Sequence, residues 1–168
     1  ITMADVREAL AKQGLADVKF LPGDGIFFRT GWGVHWIKDN AKFNSGEPGI
    51  GMEVARWLSD MVQAGDVGSD TWGLENVPAK DAGCAFCVHA HLLTRHGIVN
   101  QENMDLDALA TDKVWRFLYL YSRMPIVGAT GSAGSPARWA RSAASARCSC
   151  RGYYGNTTLL AAQQTITR

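Results

Sequence analysis

Apolar residues recur at helical spacing twice in the first 63 positions. Val6, Ala9 and Leu10 form one stripe, with Thr2 placed to cap it, Asp5 in its first turn and Gly14 at its end. Met52, Ala55, Leu58, Met61 and Val62 form the other, opened by the Gly46-to-Gly51 stretch with Pro48 and running to about Gln63. Between them Pro22-Gly23-Asp24 reads as a turn, residues 25–29 (GIFFR) as a short strand and residues 30–33 as a loop. Residues 36–43 read as one helical turn or an irregular lid. Residues 64–68 predict a strand feeding the polar loop Ser69-Asp70-Thr71-Trp72, although Asp66 fits a buried strand poorly. Further on, residues 74–83 read as loop, 88–95 as a short helix, 98–101 as a strand and 114–121 (VWRFLYLY) as a strand rich in β-formers. Residues 125–127 begin another extended piece, and 129–136 form a glycine- and serine-rich turn. From Arg138 onward no period is sustained, except that 158–165 can make one strand or helix.

Composition adds few constraints. A chain of 168 residues is long enough for one domain with a sizeable core. With 46% hydrophobic and 20% charged residues it reads as a soluble globular protein, cytoplasmic in the absence of a signal-peptide pattern at its N-terminus. No run approaches the 18 apolar residues of a membrane span. Charge is unevenly spread. No acid follows Asp112, whereas eight of the 17 basic residues do. Such a tail can mark a nucleic-acid surface, but it carries no recognised motif around Trp139, Tyr153 and Tyr154, so nucleic acid is not the expected partner. Cys84, Cys87, Cys148 and Cys150 pair as CxxC and CxC, but a loop of about 60 residues separates the pairs, longer than compact zinc folds use. Reduced cysteines are the expectation.

The stretch from Val88 to Leu109 carries the main candidate chemistry. His89 heads a short helix and Glu102 lies beyond the following strand. A seven-residue helix rises about 10 Å, Gly97 can turn the chain, and five residues of strand return about 16 Å. If the two segments run antiparallel, His89 and Glu102 can meet, and both are ligand types for a divalent metal. The competing reading is a helix-start histidine beside a surface glutamate. His91 lies about 200° around the helix from His89, so the two cannot face one ion. His96 flanks the Gly97 turn and reads as solvated, and His35 as part of an aromatic cluster. Asp70 is either a site residue or a turn residue bonding backbone amides. Trp32, Trp36 and Trp72 stand beside loops and can line a substrate pocket or pack the core. Walker, GxSxG, HExxH and dinucleotide-binding patterns are absent, and GATGSAG at 128–134 lacks the Lys-Ser/Thr ending of a phosphate loop.

Five segments in order, PGDGIFFRTGW, EPGIGMEVARWL, GSDTW, the block from His89 to Glu102 and PIVGATGSAGSP, resemble the cyclase family of metal-dependent hydrolases, which includes kynurenine formamidase and isatin hydrolase. The likeness spans roughly residues 2–136. It implies an α/β fold with a mixed sheet or barrel-like core and surrounding helices, incomplete relative to the family. It also implies metal ligation by His89 and Glu102, a zinc or manganese cofactor, a small-molecule substrate, and homo-oligomers. Asp70 matches a recurrent position near the family's site, and Trp32, Trp36 and Trp72 join it as substrate-binding candidates.

The family's main metal motif, resembling His-x-Gly-Thr-His-x-Asp-x-Pro, has no counterpart in this chain. The expectation is therefore a C-terminal portion of such a hydrolase. It would act on a C–N amide or formamide bond or on a cyclic amide or lactone, with low activity in isolation. The alternative is a non-catalytic binding or interaction module derived from the same fold. Residues 1–136 make the cyclase-like partial domain. Residues 137–168 make an atypical basic tail, read as frameshifted or disordered because its composition changes abruptly; related in-frame sequences with the same tail would overturn the frameshift.

Overall fold

Thr2 starts the first helix as its stripe predicts. The residue is extended (φ −108°, ψ 170°), its hydroxyl accepts from the Asp5 amide, and the Asp5 carboxylate accepts from the Thr2 amide at 2.7 Å. Helix α1 (Met3–Lys12) buries Val6, Ala9 and Leu10, and the chain turns away at Gly14 with φ 70°. A computed structural model of the chain describes residues 1–80, 83–139 and 157–160. The remaining elements are β1 (Gly25–Phe28), α2 (Asn40–Phe43), α3 (Met52–Arg56), β2 (Asp66–Ser69), α4 (Cys87–His89), β3 (Val99–Gln101), α5 (Asp107–Thr111), β4 (Arg116–Arg123), β5 (Gly134–Trp139) and β6 (Thr157–Leu160). Both α3 and α4 widen into π-helical turns, Trp57–Val62 and Ala90–Arg95.

All four residues of β1 are buried because both faces of the sheet are covered there. Ile26 and Phe28 join Val6, Leu10, Val54, Leu58, Val67, Val88 and Leu92 under α1, α3 and α4. Phe27 faces the other way, into a smaller cluster with Leu106, Leu109 and Phe117. The sheet order is β3-β2-β1-β6-β4-β5. Strands β3, β2, β1 and β6 are parallel, while β4 runs antiparallel to both β6 and β5. The fold is thus mixed α/β, and the sheet is open; of the two cores expected from the sequence, the barrel-like one is corrected by this order.

Two further expectations change. Residues 134–139 form an edge strand where a turn through 136 was expected, because Pro136, which lacks an amide donor, is tolerated at an edge. Residues 125–127 are not a strand. They lead into the loop that closes the β4–β5 hairpin, where Met124 N–H donates to the Ala133 carbonyl at 3.1 Å. Asp66, poorly suited to a strand, nevertheless opens β2: its carboxylate accepts from the Gln101 amide of β3, and burial pushes its pKa up to about 6. Within the basic tail, Thr157–Leu160 pairs with β1 and β4. Residues 140–156 and 161–168, with Cys148 and Cys150, lie outside the described residues. Among the described residues no helix is long and apolar enough to cross a membrane.

Candidate functional site

Parallel strands end on the same side, and the chain leaves β1, β2 and β3 there into loops that carry polar side chains. Glu102 follows β3 directly. His89 reaches it from α4, which packs its Val88 into the core and so fixes the direction of the neighbouring imidazole. His89 Nε2 lies 2.9 Å from Glu102 Oε1, and His89 Nδ1 lies 2.6 Å from Glu75 Oε1. The helix-and-return geometry inferred from the sequence does bring His89 and Glu102 together.

Glu75 is the residue that sequence reasoning missed. Its carboxylate also accepts from the backbone amides of Val88, at 3.2 Å, and His89, at 3.1 Å, at the start of α4. Its side chain is only 5% exposed, against 23% for His89 and 33% for Glu102. Glu102 and Glu75 hold opposite ring nitrogens. Their hydrogen bonds, Glu102's foremost, raise the His89 pKa above the usual histidine value, against the effect of burial. The two carboxylates thus favour the doubly protonated imidazole more than water does. Stability from this pair is complete below the unfolded pKa of about 6.5 and is lost as pH rises through the raised folded value.

A second unforeseen carboxylate completes the cluster. Glu47 accepts from the Trp72 amide at 2.7 Å through Oε2, while its buried Oε1 has no hydrogen-bond partner of normal geometry. Burial pushes its pKa up to about 7. The Trp72 and Gly73 amides pull it down, the Glu102 charge adds to the rise, and His89 opposes it. Glu47 and Glu75 are positioned together, because Glu47 bridges to Val77 and Ile50 bridges to Glu75. Gly49 permits this approach: a Cβ there would stand 2.2 Å from the Glu75 carbonyl carbon and 2.4 Å from the Leu74 carbonyl oxygen. Gly49→Ala is expected to force the two segments apart and cost about 1–3 kcal/mol, read as a lower urea midpoint; an unchanged midpoint would count against this close packing.

Backbone strain gathers at the same place. Leu74 (φ 61°), Phe86 (φ 56°) and Asn103 (φ 55°), in the left-handed region, flank Glu75, α4 and Glu102 respectively. The Phe86 ring sits edge-on to His89 at 5.4 Å and reaches Trp72 at 6.4 Å.

The other sequence candidates divide. Asp70 accepts from Thr30 N, Thr30 Oγ1 and Gly31 N at 2.7–2.8 Å, so it anchors the loop after β1 rather than its own turn. The Trp32 and Trp72 indole N–H groups both donate to the Phe43 carbonyl, at 3.2 and 3.1 Å. Trp36 and Asp70 line a cleft of about 280 Å³ with Lys38, Asn103, Asp105 and Asp107, next to the Glu102 loop. Trp32 and Trp72 are not among its lining residues. His35 packs edge-on to Trp32 at 4.9 Å, in the aromatic cluster expected for it. The tight turn before α4 brings Cys84 and Cys87 side by side, their Cα atoms 5.7 Å apart, within the range a disulfide spans. One three-residue group among the described residues, Asp60, His91 and His96, has metal-type donor atoms within 4.8 Å of one another.

Residues 1–76 match the Cyclase family model, described as "Putative cyclase". No curated protein matches the chain, and no solved structure matches it. The cyclase resemblance thus covers the segment that holds Glu47, Asp70 and Glu75, whereas His89 and Glu102 lie beyond it.

Proposed function

We propose that this chain carries part of the site of a metal-dependent hydrolase of the cyclase kind. His89 Nε2 and Glu102 would be ligands to a divalent cation, zinc or manganese. The observation that carries the reading is the carboxylate–histidine arrangement: Glu75 holds Nδ1 and leaves Nε2 facing Glu102. Ligating histidines use such a partner to fix their ring and tautomer. One imidazole nitrogen and one carboxylate oxygen fit a cation, although a hydrolytic site draws on at least three protein ligands. Glu75 cannot be the third through the same imidazole face, since it occupies the opposite ring nitrogen.

When bound, such a cation supplies an acidified water and a polarised carbonyl. The chain's own residues do the rest. Glu75 orients the imidazole, Phe86 shields one side of it, and Glu47, with a pKa near neutrality, is suited to carry a proton to or from the reacting group. The cleft beside Asn103, with Trp36 and Lys38 on its wall, is the proposed seat of a small substrate with an amide, formamide or lactone group. Its walls combine aromatic and polar groups, as small-molecule sites commonly do.

The test is hydrolysis of N-formyl anilines, cyclic amides and lactones by the purified chain, supplied in turn with Zn²⁺ and Mn²⁺. Turnover of at least one class, lost with chelator and in His89→Ala, is expected. Hydrolysis that persists in both conditions, or none with any substrate and metal, would overturn the catalytic reading.

A further inference from the structure

We propose that Asp60, His91 and His96 form a second divalent-cation site, separate from the His89–Glu102 pair, that ties the extension of α3 to the extension of α4. Asp60 sits in the π-helical turn Trp57–Val62, His91 in the π-helical turn Ala90–Arg95, and His96 immediately after the latter. The turn of the helix that sends His89 toward Glu102 sends His91 the other way, toward Asp60. Insertions of this kind in helices recur at functional sites.

The donor set is of the right kind. The two imidazoles favour zinc, nickel or copper over magnesium and calcium, and the carboxylate adds a negative charge that zinc also accepts. Their donor atoms lie within 4.8 Å of one another, and the His91 and His96 rings are 4.5 Å apart. Tetrahedral zinc with bonds of about 2.0–2.1 Å needs donors about 3.4 Å apart. The remaining difference is a small rotation for side chains in which Asp60 and His96 are exposed and His91 is partly so. Ser59 joins the group through one hydroxyl, 2.9 Å from His91 Nε2 and 2.6 Å from an Asp60 oxygen, and so positions ring and carboxylate together.

Electrostatics favour a modest affinity. The neighbouring His96 acts electrostatically on His91. Arg56 and Arg95 also act on His91 and oppose a cation there, while Asp60 favours one. A micromolar site with one or more solvent ligands is the result expected, and its occupant would brace the helix that carries His89.

The second site is separate from the proposed hydrolase site and is tested separately. Zinc is titrated calorimetrically into chelator-treated full-length chain bearing His89→Ala, which removes the other pair. One ion per chain at micromolar Kd is expected. Adding His96→Ala should weaken it at least tenfold, and adding Asp60→Asn instead should weaken it several-fold; magnesium should not bind. Because His96 is exposed, its loss leaves the fold unperturbed. No zinc bound by the His89→Ala chain, or binding that neither added substitution changes (as the cysteines would give), would overturn the proposal.

Discussion

Metal affinity at the His89–Glu102 pair is expected to fall at least 100-fold in His89→Ala and in Glu102→Ala. Each substitution removes one of two converging donors, at Nε2 and Oε1, which are 2.9 Å apart. Glu75→Gln should cost less, about 10–100-fold, since it loosens the ligand's outer partner and leaves both donors in place. The pH dependence has a definite sign. Because Glu102 and Glu75 raise the His89 pKa, a proton competes with the cation for Nε2, and affinity should rise as pH increases through the histidine's raised value. Manganese binding followed by spin resonance in the His96→Ala background isolates this pair from the second cluster. Equal affinity in His89→Ala and the parent chain would remove the pair from the metal site altogether.

The second large effect concerns Glu47. Burial pushes its carboxyl up to about 7 in the fold, from the ordinary glutamate value of 4.5. The native state therefore holds a proton that the unfolded chain releases earlier. Stability from this group is complete below about pH 4.5 and is lost as pH rises through 7, a change of about 3 kcal/mol. Glu47→Gln keeps an acceptor for the Trp72 amide and cannot ionise. It should be the more stable protein at pH 8 by about that amount and should converge with the parent near pH 4.5. Asp66, raised to about 6 by burial, tilts both proteins in the same direction, so the difference between their urea midpoints across pH is the quantity to measure. Parallel curves would show that Glu47 ionises as an exposed glutamate does.

Much of this was legible in the chain itself. Thr2 and Asp5 announced a capped helix, and residues 25–29 announced a strand, because local hydrogen bonding and side-chain period are written in adjacent residues. His89 and Glu102 could be brought together on paper because only a short helix, one glycine and a strand separate them. Glu47 and Glu75 could not. They lie 28 residues apart in loops with no period, and their meeting depends on Gly49 passing against the Leu74–Glu75 backbone. Cys84 and Cys87 were visible as a pair, but their closeness was set by the turn before α4.

Sequence alone thus determined α1, β1 and the approach of His89 to Glu102, since these follow from short-range geometry. Tertiary structure decided the rest. Packing both faces of β1 left the sheet open and gathered the β1, β2 and β3 loops at one end. It also buried Glu47 away from water and put a carboxylate at each nitrogen of His89. Burial and proximity across distant segments, which set a proton's or a cation's affinity, exist only once the chain has folded.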